Sequence, residues 1–388
     1  MSSVLVSPHS KVLVTGANGF IAMWIISSLL EQGYSVRGTV RTKDKSTLLE
    51  EHFASYAEKF EVVVVPDITK EGAFDQHVQD VEAIVHTASP LAPPTMDPDA
   101  FIRPAVDGTL SILNSIRVFG KHIKRIVHTS STGAIARIFP KPRKLTEEDW
   151  NEMSAASVEA KVAKINMKRQ NGENVEEKDK PTEMEMYWAS KTLAERAAWD
   201  FYNKHKAELG WDLVVLNPAL VFGPPLYNST SPSDLNDSLD WFYRSVVAPS
   251  QGASPETSLT PEEDKAALPK EASEAYATHM RQTASYVDVR DLAQAHVLAL
   301  QREDAGGERI IVCAGRGTWQ DWVDAANAVF PPPTSPVSHP LPKGVPGVQG
   351  IFLMQYDASK ADRVLGMKYR TREETVRDTL LDFGRRGW

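Results

Sequence analysis

A tyrosine and a lysine lie four positions apart in the segment Tyr187-Trp188-Ala189-Ser190-Lys191, in a stretch whose pattern predicts a helix over residues 187–204. This spacing puts the phenol of Tyr187 and the ammonium of Lys191 on one side of the helix. A free tyrosine has a pKa of ~10, and we expect a fixed cation beside it to lower that pKa. The pair is therefore typical of an acid that protonates a carbonyl oxygen while hydride reaches the carbon.

A cluster of hydroxyl residues supplies a third candidate. It follows the predicted strand at residues 125–129 and contains Ser130 and Ser131. We expect Ser131 to orient the substrate oxygen by hydrogen bonding, with Ser130 as the alternative. Serine and threonine are also common turn residues at strand ends, so the assignment of Ser131 depends on the tyrosine and lysine that follow it.

A glycine turn between a strand and a helix predicts a dinucleotide site. The predicted strand at residues 11–15 leads into Gly16-Ala17-Asn18-Gly19, and an amphipathic helix follows. The first glycine permits a tight turn, and the second lets the backbone approach a pyrophosphate at the positive end of the helix. In this context the pattern is a strong indication of nucleotide binding, and the residues expected at the cofactor are Gly16, Asn18, Gly19, Phe20 and Ile21.

The end of the second predicted strand, at residues 34–40, favours NADPH over NADH. It lacks the acidic residue that binds the ribose 2′-hydroxyl in NAD sites. Arg41 leaves the sheet there instead, and its guanidinium suits bidentate contact with a phosphate. Lys45 adds a second positive charge. Asp67, after the third strand, is either an acceptor for the adenine amino group or a turn residue.

The elements that must position these residues alternate between strand and helix patterns. Several strands are continuous apolar runs, as a parallel sheet covered on both faces requires. The alternation predicts an α/β fold with a doubly wound parallel sheet of the Rossmann type, whose ligands lie beyond the carboxyl ends of the strands. The seven predicted strands cover residues 11–15, 34–40, 60–65, 83–87, 125–129, 213–216 and 309–314.

The domain prediction follows from where this alternation fails. Residues 8–222 and 285–314 are assigned to an NADP-binding domain, and residues 223–284 and 315–388 to a smaller C-terminal substrate-binding domain. Twelve of the 25 residues from 159 to 183 are charged, with almost no apolar period. This segment predicts a mobile insertion near 151–186. A final helix is predicted over residues 371–383.

Composition excludes several classes of function. A net charge of −8 gives no basic surface for nucleic acid or an anionic membrane. The apolar runs are too short to span a bilayer, the N-terminal segment lacks the layout of a signal peptide, and the single Cys313 fits a reducing compartment. We therefore expect a cytoplasmic protein. The ten histidines show no ligand spacing, so no metal site is expected.

The chain resembles the extended short-chain dehydrogenases/reductases, and within them the dihydroflavonol 4-reductase-like branch that includes methylglyoxal and aldehyde reductases. The resemblance implies that Ser131, Tyr187 and Lys191 are catalytic, and it permits a monomer or a homodimer. Residues that it places at the cofactor are Arg41, Lys45, Asp67, Ile68, Thr87, Ala88, Ser89, Tyr187, Lys191, Pro218 and Val221. The motifs that carry it lie at residues 15–22, 40–41, 86–90, 129–131, 187–191, 217–224 and 286–291.

The resulting functional prediction is reduction of a small-molecule aldehyde or ketone by NADPH. Two alternatives remain open. An NAD-dependent sugar-nucleotide epimerase or dehydratase shares the fold and the Ser–Tyr–Lys set, although a dehydratase needs carboxylates after the serine, where this chain has Thr132-Gly133-Ala134. A non-catalytic NADPH-binding regulator commonly loses the tyrosine or the lysine, and this chain keeps both. The interval from Ser131 to Tyr187 is longer than the family's because of the charged insertion.

Overall fold

The computed structural model describes residues 4–89, 98–136, 139–248 and 270–388 of the chain. Within these ranges the strands are β1 Lys11–Thr15, β2 Ser35–Val40, β3 Phe60–Val64, β4 Ala83–His86, β5 Arg125–Thr129, β6 Arg143–Leu145, β7 Asp212–Pro218, β8 Leu220–Phe222, β9 Tyr286–Asp288, β10 Arg309–Val312 and β11 Met354–Tyr356. The helices are α1 Phe20–Glu31, α2 Lys43–His52, α3 Pro98–Phe119, α4 Glu152–Gln170, α5 Glu183–His205, α6 Asp237–Phe242, α7 Lys270–Arg281, α8 Val289–Gln301, α9 Trp319–Val329 and α10 Arg372–Arg385.

A parallel sheet of seven strands, in the order β3-β2-β1-β4-β5-β7-β10, forms the centre of the molecule. The strand order reverses between β1 and β4, which is where doubly wound folds bind their ligands. All seven predicted strands are confirmed, and so is the Rossmann-type fold. Because the strands are parallel, the loops that follow them meet at one edge of the sheet.

The continuous apolar runs are explained by burial on both faces. In β1, Val12 and Val14 belong to the cluster that includes Ile25 of α1. Leu13, between them, belongs to the cluster that includes Ile112 of α3 and Phe201 of α5. Consecutive side chains of a strand point to opposite faces, so a strand covered by helices on both sides needs apolar residues at every position.

The charged segment, predicted as a mobile insertion, contains a helix that the sequence analysis did not predict. Its first half forms α4, whose buried residues Ser154, Val158 and Ile165 make a narrow stripe on one side. Two of its charged residues form ion pairs: Lys161 binds Glu185 of α5 at 2.8 Å, and Lys168 binds the buried Asp179 at 2.5 Å. The sequence analysis did not predict this helix because three buried positions among 19 residues leave almost no apolar period to detect. The mobility of the segment stays a prediction.

Capping residues set the ends of several helices. Thr182 and Glu185 form a capping box at the start of α5, so this helix begins four residues before the predicted start at Tyr187. Gly33 follows α1 with a φ of +93°, as expected for a glycine beyond a helix C-terminus. The predicted final helix is confirmed as α10, which Thr371 caps.

The C-terminal part contributes to the same hydrophobic core as the sheet. Phe222, Phe242, Trp322 and Phe383 pack with ring centroids 4.9–6.4 Å apart, and they share one cluster with Val12 of β1. Two short parallel pairs, β8 with β9 and β6 with β11, complete this region. The division into two domains stays a prediction, and residues 249–269 of the predicted smaller domain lie outside the described residues. Among the described helices, none has the length and apolarity needed to cross a membrane.

Candidate active site

The hydroxyl groups of Ser131 and Tyr187 meet at the carboxyl edge of the sheet. Ser131 follows β5, and its Oγ accepts a hydrogen bond from the Gly133 N–H at 2.9 Å. The same hydroxyl lies close enough to Tyr187 to lower the pKa of the phenol. Ser131 is 9% exposed and Tyr187 is 36% exposed, so the pair lies at the floor of a surface that a substrate can reach.

Gly133 is a site residue that the sequence analysis did not identify. A Cβ at this position would come within 2.8 Å of Trp188 Cδ1 and within 3.3 Å of both Ser131 Oγ and Tyr187 Cε1. Its lack of a side chain therefore lets the serine and the tyrosine ring approach each other. In the sequence, its position two residues after the candidate serine could have indicated Gly133 as a site residue.

Burial dominates the electrostatics of Tyr187. It raises the pKa of the phenol above its usual value, Asp237 raises it further, and Ser131 works in the opposite direction. Lys191 is not among the groups that contribute to this shift, and the lowering expected from the lysine stays a prediction. The lysine acts instead on His86 and His128, whose pKa values it lowers.

The surroundings of Lys191 bring the pKa of its ammonium group closer to neutral pH. Burial lowers the pKa of this lysine to about 8, and the negative charge of Glu195, one turn further along α5, opposes that shift. His86 of β4 and His128 of β5 stack on each other with ring centroids 5.4 Å apart. Because burial also lowers the pKa values of both imidazoles, they add no positive charge beside the lysine at neutral pH.

Thr15 connects the glycine turn to this region. Its Oγ1 accepts hydrogen bonds from the N–H groups of Thr87 at 3.1 Å and Ala88 at 3.0 Å. A hydroxyl has one proton to donate, and we assign it to His86 Nδ1, which lies 2.9 Å away. This assignment leaves His86 neutral with its own proton on Nε2. The ends of β1 and β4 are thereby held in register beside the lysine.

The glycine turn has the shape of a phosphate cradle. Gly16 adopts a φ of +66°, and a Cβ there would lie 3.1 Å from Ala88 Cα. Gly19 is the N-cap of α1, which receives no side-chain capping bond. The first N–H groups of a helix have no partner within it, so those of Phe20 and Ile21 can bind an anion. Asn18 lies half-buried in the same turn.

Arg41 and Lys45 lie exposed beyond β2, where the 2′-phosphate was expected. Among the described residues, neither has a carboxylate within ion-pair distance. Arg41 is close enough to Asp67 to lower the carboxyl's pKa, although hydrogen bonds from Thr69 lower it more. Asp67 Oδ1 accepts the Thr69 N–H at 3.0 Å, so its role as a turn residue is observed.

The remaining predicted cofactor residues line the same edge. Thr87, Ala88 and Ser89 follow β4, while Pro90 lies outside the described residues. Pro218 ends β7, and Val221 is buried in β8. Ile68 follows β3, with its Cδ1 only 2.8 Å from where a Cβ of Gly108 in α3 would stand. The turn, the exposed cations and this edge together fit a dinucleotide that carries an additional phosphate.

Asn151 is a second residue that the sequence analysis did not identify. Its side chain is fully buried and donates to the carbonyl oxygens of Gly133 at 3.0 Å and Ala136 at 2.6 Å. Its Oδ1 accepts from the N–H of Ser154 and so caps α4. Asn151 therefore joins α4 to the turn that follows Ser131.

Two further groups show no site chemistry of their own. Burial raises the pKa of the Cys313 thiol to about 11, which makes it a poor nucleophile. Within the described ranges, no group of three or more His, Cys, Asp or Glu residues is arranged to hold a metal ion.

Comparison with known proteins agrees with this geometry. Residues 12–315 match the model of the NAD dependent epimerase/dehydratase family. The chain is 32% identical to the NADPH-dependent methylglyoxal reductase of Saccharomyces cerevisiae over 95% of this chain and 96% of the relative. It is 34% identical to a ketoreductase of Aspergillus niger over 95% and 96% of the two chains.

A solved structure extends the likeness to three dimensions. The crystal structure of yeast methylglyoxal/isovaleraldehyde reductase complexed with NADPH superposes with a TM-score of 0.74 at 30% sequence identity. The match covers 97% of this chain and 98% of that one. The common architecture therefore extends over almost the whole length of both chains.

Proposed function

The chain belongs to the NAD dependent epimerase/dehydratase family, in its extended short-chain dehydrogenase/reductase form, and on that premise we propose that it is an NADPH-dependent carbonyl reductase. It converts a small aldehyde or ketone to the alcohol. The observation that carries this proposal is the meeting of Ser131 and Tyr187 at Gly133, where Ser131 Oγ and the tyrosine ring each lie 3.3 Å from the position that a Cβ would take. Lys191 lies one turn further along α5.

Tyr187 is the proton donor of the proposed reaction. Burial raises its pKa, so the phenol holds its proton at neutral pH and can release it once negative charge develops on a substrate oxygen. The hydroxyl of Ser131 lies close to the tyrosine and would hydrogen-bond the carbonyl oxygen when substrate binds. The two hydroxyls would then approach the oxygen together and stabilise its developing charge.

Lys191 has two tasks in this proposal. Its ammonium, on the same side of α5 as Tyr187, stabilises the phenolate that forms after proton transfer. It also hydrogen-bonds the nicotinamide ribose. Since burial lowers its pKa to about 8, the lysine remains mostly protonated at neutral pH and can lose a proton under alkaline conditions.

The cofactor proposal assigns a part of the molecule to each phosphate. Gly16, Gly19 and the first N–H groups of α1 would hold the pyrophosphate. Arg41 and Lys45 would bind the 2′-phosphate, and Pro218 to Val221 would lie beside the nicotinamide. Bound NADPH would supply the hydride that reaches the carbonyl carbon.

Two features favour net reduction over epimerisation or dehydration. β2 is followed by Arg41 rather than by an acidic residue, which suits a 2′-phosphate. The turn Thr132–Ala134 after Ser131 contains no carboxylate to remove water. Both curated relatives described above are reductases by name.

Isotope transfer separates these reactions. NADPH deuterated at the transferable position of the nicotinamide is expected to give an alcohol with deuterium on the former carbonyl carbon and one NADP per alcohol. Cofactor that returns unconsumed, with an isomerised or dehydrated product, would contradict the proposal. The cytoplasmic location and the monomeric or dimeric state stay predictions from the sequence.

A further inference from the structure

A buried carboxylate lies on the catalytic helix two turns beyond the tyrosine. Tyr187, Lys191 and Glu195 follow one another at intervals of four residues on α5, so they share one side of the helix. Glu195 is 0% exposed. An isolated charge in such a position would be costly, and its partners therefore explain how it is tolerated.

Glu195 binds three elements that surround the catalytic set. Its carboxylate accepts from Arg309 Nε of β10 at 2.5 Å and from Ser130 Oγ, next to the catalytic serine, at 2.5 Å. It also accepts from Asn217 Nδ2 of β7 at 2.8 Å. Asn217 Nδ2 donates in addition to the carbonyl oxygen of Ser131 at 3.1 Å. The carboxylate thus connects α5 to the backbone that carries the serine hydroxyl.

Arg309 extends this network to the turn after the serine. Its guanidinium donates to the carbonyl oxygens of Glu147 at 2.8 Å, Asp149 at 2.5 Å and Ala134 at 3.2 Å. It also stacks over the Trp150 ring, 3.6 Å from the centroid. The arginine side chain is 7% exposed, so both members of the ion pair are buried.

Stability alone is a weak reason to keep such a pair. The desolvation of two charges commonly offsets their attraction, and an apolar pair of similar volume is often as stable. An apolar pair cannot, however, supply directional hydrogen bonds to Ser130, Asn217 and the turn at Ala134. Those bonds are what fix the serine relative to the helix of the tyrosine and the lysine.

We propose that Glu195 is a positioning residue for the reduction. Its carboxylate fixes the Ser130–Ser131 backbone and Asn217 against the catalytic helix. The inference rests on the proposed function. It assigns Glu195 no contact with substrate or cofactor. Its effect is to hold Ser131 and Tyr187 at the distance at which both hydroxyls reach one carbonyl oxygen, because small displacements of reacting groups cost large factors in rate.

Glu195 also influences the pKa of Lys191. The described titratable groups around this lysine are His86 of β4, His128 of β5, and Tyr187 and Glu195 of α5. The imidazoles are neutral, and Asp237 of α6 acts on Tyr187. Glu195 thus supplies the negative charge that keeps the pKa of Lys191 from falling further.

The test is the variant Glu195→Gln, which keeps the size of the side chain and removes its charge. We expect kcat to fall by about tenfold to a hundredfold, with the Kd of NADPH within about threefold of wild type. The alkaline limb of the kcat profile should move to lower pH, because the lysine loses its negative neighbour. A purely structural role would lower the melting temperature and leave both kcat and that limb unchanged, which would overturn the proposal.

Two controls separate positioning from stability. Asp212→Asn removes the charge that pairs with the buried Arg125. Both residues lie at the N-terminal ends of their strands, β7 and β5, whereas Ser131 follows the C-terminal end of β5. This variant should lower stability but not kcat. The double variant Glu195→Met with Arg309→Met should recover stability without recovering kcat. Full kcat in the double variant would overturn the proposal, and this variant decides the question if Glu195→Gln does not fold.

Tyr187→Phe, measured in parallel, tests the premise separately. If it keeps full activity, the proposed function fails. If it is inactive while Glu195→Gln keeps wild-type kcat and pH profile, only the role of Glu195 fails.

Discussion

Ser131 and Tyr187 come together at Gly133, where Ser131 Oγ and the tyrosine ring each lie 3.3 Å from the position that a Cβ would take, although 56 positions separate the two residues in the sequence. Three features produce this contact: the parallel register that ends β5 at the edge of the sheet, the absence of a side chain at Gly133, and the packing of α5 behind both. The contact places a hydrogen-bond donor and an acid where they can share one substrate oxygen. The predictions below follow from this arrangement.

Tyr187→Phe removes the proposed acid and little else. We expect kcat to fall by about a hundredfold to ten-thousandfold, the usual contribution of a general acid. NADPH binding should stay near the wild-type value, because the ring that packs against Gly133 is retained. Steady-state kinetics and fluorescence titration with NADPH measure the two effects.

Tyr202→Phe is the matched control for that variant. Tyr202 lies on the same helix and packs against Trp199 and Trp211, away from Ser131. It should retain wild-type kcat. Equal activity of both variants would show that Tyr187 is not the acid.

Arg41→Ala tests the selection of the cofactor. Removal of a charged contact to the 2′-phosphate should weaken NADPH binding by about tenfold or more, while NADH, which lacks that phosphate, is affected little. The Kd values of both cofactors measure the difference. Arg385→Ala, which changes an exposed arginine at the end of α10, is the control. Equal weakening of NADPH and NADH by Arg41→Ala would refute its role at the phosphate.

The pH dependence of reduction should follow Lys191. Its pKa is lowered by burial from 10.5 to about 8, so the ammonium is present at neutral pH and is lost as the pH rises through that value. If the ammonium is required, kcat should fall by about tenfold for each pH unit on the alkaline side. Lys191→Arg keeps its charge throughout, so we expect it to show a lower rate and no such limb. A wild-type rate that stays constant well above this pH would contradict the assignment.

Asn151→Ala tests how the inserted helix is anchored. It leaves the carbonyl oxygens of Gly133 and Ala136 without this donor and removes the cap of α4. The free energy of unfolding should fall by about 2–3 kcal/mol, as for other buried groups that lose a partner. Urea denaturation measures the change. Asn171→Ala, at the exposed C-terminal end of the same helix, should stay within about 0.5 kcal/mol of wild type, and an equal loss in both would contradict the anchoring role.

The sequence predicts the fold and the main site residues because both depend on local patterns. Continuous apolar runs such as residues 213–216 identify strands that are buried on both faces, and the glycine turn identifies the nucleotide edge. Tyr187 and Lys191 are recognisable because a helix converts their spacing into proximity. Each of these signals lies within a few consecutive residues.

The rest depends on contacts between distant residues. The bond from Glu195 to Arg309 joins positions 114 residues apart, and no local pattern indicates it. The α4 helix was missed because ion pairs and a narrow buried stripe, rather than an apolar face, fix it to α5. The expected action of Lys191 on the pKa of Tyr187 stays a prediction, because spacing gives proximity but not the strength of the interaction.

The most direct test of the central claim is NADPH oxidation by the purified protein across a panel of aldehydes, diketones and aryl ketones, with NADH in parallel. The proposed function predicts turnover of at least one carbonyl, with NADPH preferred over NADH and alcohol formed in equal amount. Saturable NADPH binding without turnover of any carbonyl, or turnover with no preference for NADPH, would contradict it.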